Sequence, residues 1–412
     1  MKSKTFKVDK AITSKNKDLF GRKKIAMTLA RTIKYYKDED SISIGIIGDW
    51  GSGKTSFINM VLEDFKDDKN FIIINFNPWN ISTRKQLISD FFTKLSAEIG
   101  RTDSSEQYQK LSNDLKALSY TFKPLKFIPG LDVFASIASE VSGNIGDALQ
   151  KTVEMTEKNL DTTKEEINNE IKKINKKIII VIDDLDRLAD ADIQEIFQLV
   201  RSIADFKNTM YILAYDNEIV TKALDKIQKD KGERYIEKIV QVPIVLPKLN
   251  KANLIAIFMQ KIEQFGFVYE KIDKNEFIEN LNTNNFAGAF ENIRDINRYL
   301  NVLKFEMSAI KQELYLYDFA VITLFKVFEP KFYEFIYNYS EFFKRTALDS
   351  DEKTKEHQKS TYTNFINEQI KCLNKLNKEV VKNLLISIFP RIYDLYNRDF
   401  SEIIKDRRVL WI

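Results

Sequence analysis

Uninterrupted apolar runs alternate, over roughly the first 250 positions, with stretches whose apolar residues recur every three or four. That alternation predicts parallel strands covered on both faces and separated by helices. The runs are Ile42–Ile47, Phe71–Phe76, Ile178–Ile182, Met210–Ala214 and Ile239–Leu246. Pro243 interrupts the last one, and a proline cannot donate to a sheet ladder, so this strand is expected at an edge. Helical faces lie between them. Ile25, Ala26, Leu29, Ala30 and Ile33 form one, and Leu87, Ile88, Phe91, Phe92 and Leu95 form another within Ser82–Ile99. Leu188–Asp205 is a third predicted helix. Beyond Pro247 the pattern is helical, as in Leu254–Phe265 and Phe277–Leu281. Tyr315–Phe343 is dense in Phe and Tyr at helical spacing, which reads as core because basic residues are not interleaved as a base-stacking platform requires. Asp349–Ser360 reads as a solvated linker and Tyr362–Ile412 as a final helical region.

Between the second and third runs, residues 100–176 depart from a minimal α/β core. Helical segments flank a turn at Tyr120–Gly130, and Leu131–Leu149 is rich in small and apolar residues. Lys151–Lys177 is heavily charged but carries Ile167, Ile171 and Ile174 at helical spacing, a stripe for anchoring a mostly solvated helix on the body or on a partner. The expected organisation is a flexible N-terminus (1–17), an α/β core (18–250) with a helical insertion (100–176), a helical lid or sensor domain (251–345) and a C-terminal helical region (346–412).

Composition narrows the function classes. The chain of 412 residues has 30 phenylalanines, so it is not mainly disordered. Lys plus Arg number 64 against 60 Asp plus Glu, a net charge of +4 that gives no footprint for nucleic acid. One cysteine, Cys372, excludes an internal disulfide, and the lone histidine, His357, argues against zinc clusters and Ser-His-Asp catalysis. The opening residues are polar, so no secretory leader is expected. No stretch is a convincing membrane span; the nearest, Phe127–Ile145, is interrupted by Asp132 and Glu140. A cytoplasmic protein is expected.

The first strand runs into Gly48-Asp49-Trp50-Gly51-Ser52-Gly53-Lys54-Thr55, and Ser56–Leu62 follows with helical spacing. Strand, G-x-x-x-x-G-K-T loop and helix make a phosphate-binding P-loop. Its glycines let backbone N–H groups turn inward, and the helix adds the positive end of its dipole. Gly48, Trp50, Gly51, Ser52, Gly53, Lys54, Thr55 and Ser56 are thus the expected nucleotide contacts. Lys54 is expected on the β- and γ-phosphates and Thr55 on Mg²⁺. The third strand ends in Asp183-Asp184, which delivers two carboxylates to the sheet edge where ligands sit. Asp183 is the expected Mg²⁺ holder, through water, and Asp184 the group that polarises the attacking water. Asp216, after the fourth strand, stands where a polar residue senses the γ-phosphate. No Asn-Lys-x-Asp run is present to read guanine, so ATP is the expected nucleotide.

With both elements present, the sequence resembles the KAP family of P-loop NTPases. The residues that carry the resemblance are the P-loop with Trp50, Phe76-Asn77-Pro78-Trp79, and Ile182-Asp183-Asp184-Leu185-Asp186-Arg187. Tyr235–Pro243 and Arg294–Asn301 add to it, and the match spans about residues 18–345. The resemblance implies an additional-strand ATPase sheet of order 5-1-4-3-2 with an all-helical C-terminal region. It implies a sensor arginine, Arg294 or Arg298, acting from the lid, and a finger arginine acting on a neighbouring subunit of a homo-oligomer. Arg234 is the candidate for that finger, and Arg187 the alternative. It also implies a molecular switch or scaffold, among bacteria in phage exclusion and defence, working with an effector from an adjacent gene. Many relatives insert membrane helices where residues 100–176 lie; here no convincing span is present, and contact of Leu131–Leu149 with a membrane surface or a partner stays open. Two further readings stay open: a nucleotide-gated adaptor that hydrolyses little, and a nucleic-acid-dependent ATPase, which the balanced charge does not favour.

Overall fold

The computed structural model describes residues 10–80, 87–121, 161–228, 231–248, 250–263, 274–309, 315–344, 352–389, 392 and 395–396. The chain forms two units, one from Ala11 to Lys248 and one built from Leu249 onward.

The first unit is organised on a parallel sheet of β1 (Ile42–Ile47), β2 (Phe71–Phe76), β3 (Lys177–Ile182), β4 (Thr209–Tyr215) and β5 (Val242–Val245). Their order is β2-β3-β4-β1-β5, which is 5-1-4-3-2 when read from the β5 edge. β5 pairs only with β1 and places Pro243 opposite Gly45, so the proline sits on an edge strand. Strand residues alternate between two apolar layers. Ile178, Ile180, Ile182, Tyr211, Leu213 and Tyr215 face one core, while Ile179, Val181, Met210, Ile212 and Ala214 face the other. Burial on both sides explains why these strands read as continuous apolar runs instead of alternating ones.

On one face lie α1 (Lys23–Tyr35) and α2 (Lys54–Leu62); on the other lie α3 (Leu87–Thr102), α4 (Glu106–Thr121), a helix over 161–174, and the helices Asp190–Gln198 and Asn217–Gln228. Ile25 does not join the α1 face as expected. At about 100° per residue it lies some 90° from the centre of the arc made by Ala26, Leu29, Ala30 and Ile33, and it is exposed. The start of the chain is also less free than expected, because Ile12 and Lys15 are tied to α2 and the turn that follows it. Ile12 N–H donates to Ser56 Oγ at 3.2 Å, Asn59 Nδ2 donates to the Ile12 carbonyl at 2.9 Å, and Lys15 N–H donates to Glu63 at 2.8 Å. The single helix expected over Leu188–Asp205 is an α-helix that passes into a π turn at Leu199–Ile203.

In the insertion, the isoleucine stripe behaves as its spacing predicts: Ile167, Ile171 and Ile174 are buried in the same core as α3 and α4. Glu170 beside them accepts from Lys110 of α4 at 2.6 Å and from Lys173 at 2.8 Å. Leu131–Leu149 and the apolar stretch Phe127–Ile145 lie outside the described residues. Among the described residues, no helix is long and apolar enough to cross a membrane.

The second unit is helical: Lys251–Glu263, Lys274–Thr283, Ile293–Ala309, Leu316–Phe328, Pro330–Asn338, Ser340–Lys344, Glu352–Lys371 and Lys378–Ile388. Its aromatic residues form the core. Phe258 meets Phe286 and Phe290 at centroid distances of 5.6 and 5.0 Å, and Tyr299 meets Phe286 at 5.5 Å. The segment expected to be a linker is corrected: from Glu352 it is helical and continuous with the helix that ends at Lys371. Its polar half is rich in Lys, Glu and Gln, which cost little in a helix, and its other half anchors it through buried Ile366 and Ile370. Cys372, exposed, directly follows that helix.

Candidate nucleotide site

The loop at the C-terminal end of β1 has the shape its glycines predict. Gly48 N–H donates to the Tyr215 carbonyl at 3.1 Å, binding the loop's first residue to β4, and Ser52 N–H donates to the Asp49 carbonyl at 3.0 Å. A Cβ on Gly48 would lie 2.6 Å from Ser52 Oγ, so a larger residue there would force the Ser52 hydroxyl to move. Gly53 has φ of 90°, a left-handed conformation that turns the chain into α2. The helix begins at Lys54, so its free N–H groups and dipole face the loop.

Lys54 is buried. Its ammonium donates to the Gly48 carbonyl at 2.9 Å and to Asp186 at 2.7 Å, and lies 3.5 Å from the Asp49 carbonyl. Asp186 was legible only as part of a motif, yet its side chain is more buried than that of Lys54. The spacing Asp183-x-x-Asp186 was the available signal, since Asp186 lies in the tight 3₁₀ turn Leu185–Arg187 that directly follows the strand end.

Thr55 Oγ1 donates to Asp183 Oδ2 at 2.7 Å, and the other oxygen of Asp183 accepts the N–H of Asp184 at 2.8 Å. Burial raises the Asp183 pKa, against the opposing pull of the Thr55 and Asp184 hydrogen bonds. A hydroxyl at the start of α2 joined to a carboxylate at the end of β3 forms an oxygen donor set that suits Mg²⁺. Among the described residues no group of three or more His, Cys, Asp or Glu is assembled for a metal, and Mg²⁺ held largely by phosphates and water needs none.

Asp184 has φ of 59°, and its carboxylate meets Arg187 Nε at 2.9 Å. The Arg187 guanidinium stacks over the Trp50 ring at 5.0 Å. Trp50 therefore joins the P-loop to the Asp183–Arg187 segment, at the edge of solvent. Asp216 follows β4, which lies between β1 and β3, and its Oδ1 caps the next helix by accepting the N–H of Glu218 at 3.0 Å.

These groups, from Gly48 to Ser56 and from Asp183 to Arg187, with Asp216, gather at one end of one sheet. Arg234 belongs to the same unit, exposed on the helix Gly232–Glu237. Arg294 and Arg298 belong to the second unit, on Ile293–Ala309, where Arg298 stacks over Phe328 at 5.9 Å. In the same motif Asp295 holds Lys375, in the connection after the helix ending at Lys371, at 2.6 Å, and Asn297 accepts from Lys261 of the helix Lys251–Glu263 at 2.9 Å, so both polar residues serve packing within the unit.

The model of the KAP family P-loop domain matches residues 22–309. The chain belongs to the KAP family of P-loop NTPases. This KAP protein is similar to the Phage T7 exclusion protein of Escherichia coli (strain K12), 27% identical over 354 residues that cover 81% of this chain and 47% of that one. It is also similar to an uncharacterized ATP-binding protein of Methanocaldococcus jannaschii, 23% identical over 192 residues, 44% of this chain and 46% of that one. The KAP chain thus spans about half the length of the curated relatives it matches. Among solved structures, the Aeropyrum pernix ORC2 protein is similar at 11% identity and a TM-score of 0.39, over 95% of the KAP chain and 98% of that one.

Proposed function

We propose that this KAP protein hydrolyses ATP with Mg²⁺ and uses the cycle to switch or assemble a protein complex in anti-phage defence. The observation that carries the reading is the 2.7 Å hydrogen bond from Thr55 to Asp183, which brings the two expected Mg²⁺ residues together from α2 and β3. Bound there, Mg²⁺ would neutralise phosphate charge. Thr55 and Asp183 would hold it, Lys54 would exchange Asp186 for the phosphates, and Asp184 would orient the attacking water. The similarity to a phage exclusion protein supports the defence role. A homo-oligomer, a protein effector and a cytoplasmic setting belong to the same reading. So do a lid role for residues 251–345 and nucleotide contacts from Arg234, Arg294 and Arg298.

Phosphate release by the purified protein with MgATP tests it. Turnover is expected to fall about 100-fold or more in Lys54→Ala and in Asp183→Asn, and to vanish when Mg²⁺ is chelated. Turnover that survives all three changes would overturn the reading. A second reading, a nucleotide-gated adaptor with little hydrolysis, is favoured by one contact: Asp184 is already paired with Arg187. Saturable ATP binding without turnover would select it.

A further inference from the structure

Arg22 enters no part of the P-loop motif, yet its guanidinium is buried against the loop. Nη1 donates to the carbonyl of Ser52, inside the loop, and Nη2 donates to the carbonyl of Pro247 at 2.5 Å. Burial pulls its pKa down and Asp18 pulls the other way, while the hydrogen bonds of Nη1 and Nη2 both go to backbone carbonyls. A buried cation that depends on two carbonyls is costly to leave half-satisfied, so Ser52 and Pro247 are held as a pair. Two features sharpen the meaning of each end. The peptide bond between Ser52 and Gly53 is trans, since the described chain contains no cis bond. In a trans peptide the carbonyl and the N–H point in opposite directions. Pinning the Ser52 carbonyl toward Arg22 therefore aims the Gly53 N–H away from it, toward the side that a P-loop presents to phosphate. At the other end, Pro247 is the penultimate residue of the sheet-bearing unit. Leu246 N–H beside it donates to the Ile47 carbonyl at 2.7 Å, and Lys248 pairs with Asp49 of the loop at 2.8 Å. The last residues of the unit thus run alongside the loop, and Arg22 is the buried tie between them.

We propose that Arg22 is a positioning residue that orients the Ser52–Gly53 peptide for phosphate and transmits the loop's nucleotide state to residues 246–248. The inference rests on the nucleotide-binding reading above. The Lys248–Asp49 pair is exposed on both sides and carries little of the coupling.

Hydrogen exchange of the peptides covering residues 240–255, combined with titration of a fluorescent ATP analogue, tests this on the full chain. In the wild type, saturating nucleotide is expected to change exchange at Leu246 and Lys248. Arg22→Ala is expected to weaken nucleotide binding about tenfold and to abolish that exchange response at saturation. Arg22→Lys keeps a cation but cannot span both carbonyls with a planar fork. It guards against a misfolded alanine variant, and it is expected to bind nucleotide while losing the response at 246–248. Lys248→Ala is expected to behave as the wild type. An unaltered response in Arg22→Lys, or wild-type affinity in a folded Arg22→Ala, overturns the proposal. A wild type that binds no nucleotide at all overturns the nucleotide-site reading instead.

Discussion

Lys54 and Asp186 form a buried ion pair in the middle of the loop that is expected to receive phosphate. Removing one partner of such a pair leaves a buried charge with only weaker partners. In Asp186→Asn the ammonium keeps the Gly48 carbonyl, so a loss of about 3 kcal/mol is expected in urea unfolding without nucleotide. Saturating MgATP is expected to narrow the gap, because phosphate then takes up the lysine. An unchanged unfolding midpoint, or a deficit that nucleotide leaves untouched, would count against this exchange. A second residue supplies a pH signature. Burial raises the Glu195 pKa from the ordinary 4.5 to about 7, with Asp192 adding to the effect. The folded state then binds a proton that the unfolded state has lost, so stability falls as pH rises from the ordinary glutamate range through about 7 and levels above. Glu195→Gln is expected to flatten that fall in thermal melts between pH 5 and 8.5. Lys54, Thr55 and Asp183 were legible because contiguous motif positions define their chemistry. Asp186 and Arg22 act across 132 and 30 residues of chain respectively; the motif spacing places Asp186 near the strand end, but nothing local names Lys54 as its partner or Ser52 as that of Arg22.

At the level of elements, apolar runs announced β1 to β4 because both faces of these strands are covered. β5 was legible as an edge from Pro243 alone. The linker expected at Asp349–Ser360 failed over its described part for a physical reason. Polar residues with good helix propensity extend a helix whose anchor, Ile366 and Ile370, lies further along. The helix over 161–174 offers a test of how firmly the insertion is docked. Ile171 is buried beside Ile167, so Ile171→Ala is expected to cost about 2–4 kcal/mol in equilibrium unfolding. A change under about 0.5 kcal/mol, the range of a surface substitution, would place this helix outside the folded core.

For the molecule as a whole, composition and periodicity separated an α/β part from a helical part near Pro247, and the chain divides into units at Lys248. Family motifs gave the sheet order, which apolar periodicity alone does not specify. What the arginines do depends on assembly. If Arg234 acts on a neighbouring subunit, light scattering is expected to report an oligomer with a non-hydrolysable ATP analogue. Arg234→Ala should then bind nucleotide normally but turn over at least tenfold more slowly. Mixing it with Lys54→Ala chains should restore part of the rate, because some interfaces then combine an intact loop with an intact arginine. A monomer under all conditions removes that role. The exposed thiol of Cys372 makes such experiments simpler than usual. With no other cysteine in the sequence, one maleimide dye attaches to each wild-type chain without replacing native thiols. The helical unit therefore carries a built-in labelling point, and fluorescence anisotropy or single-molecule photobleaching can count subunits in the unmutated protein.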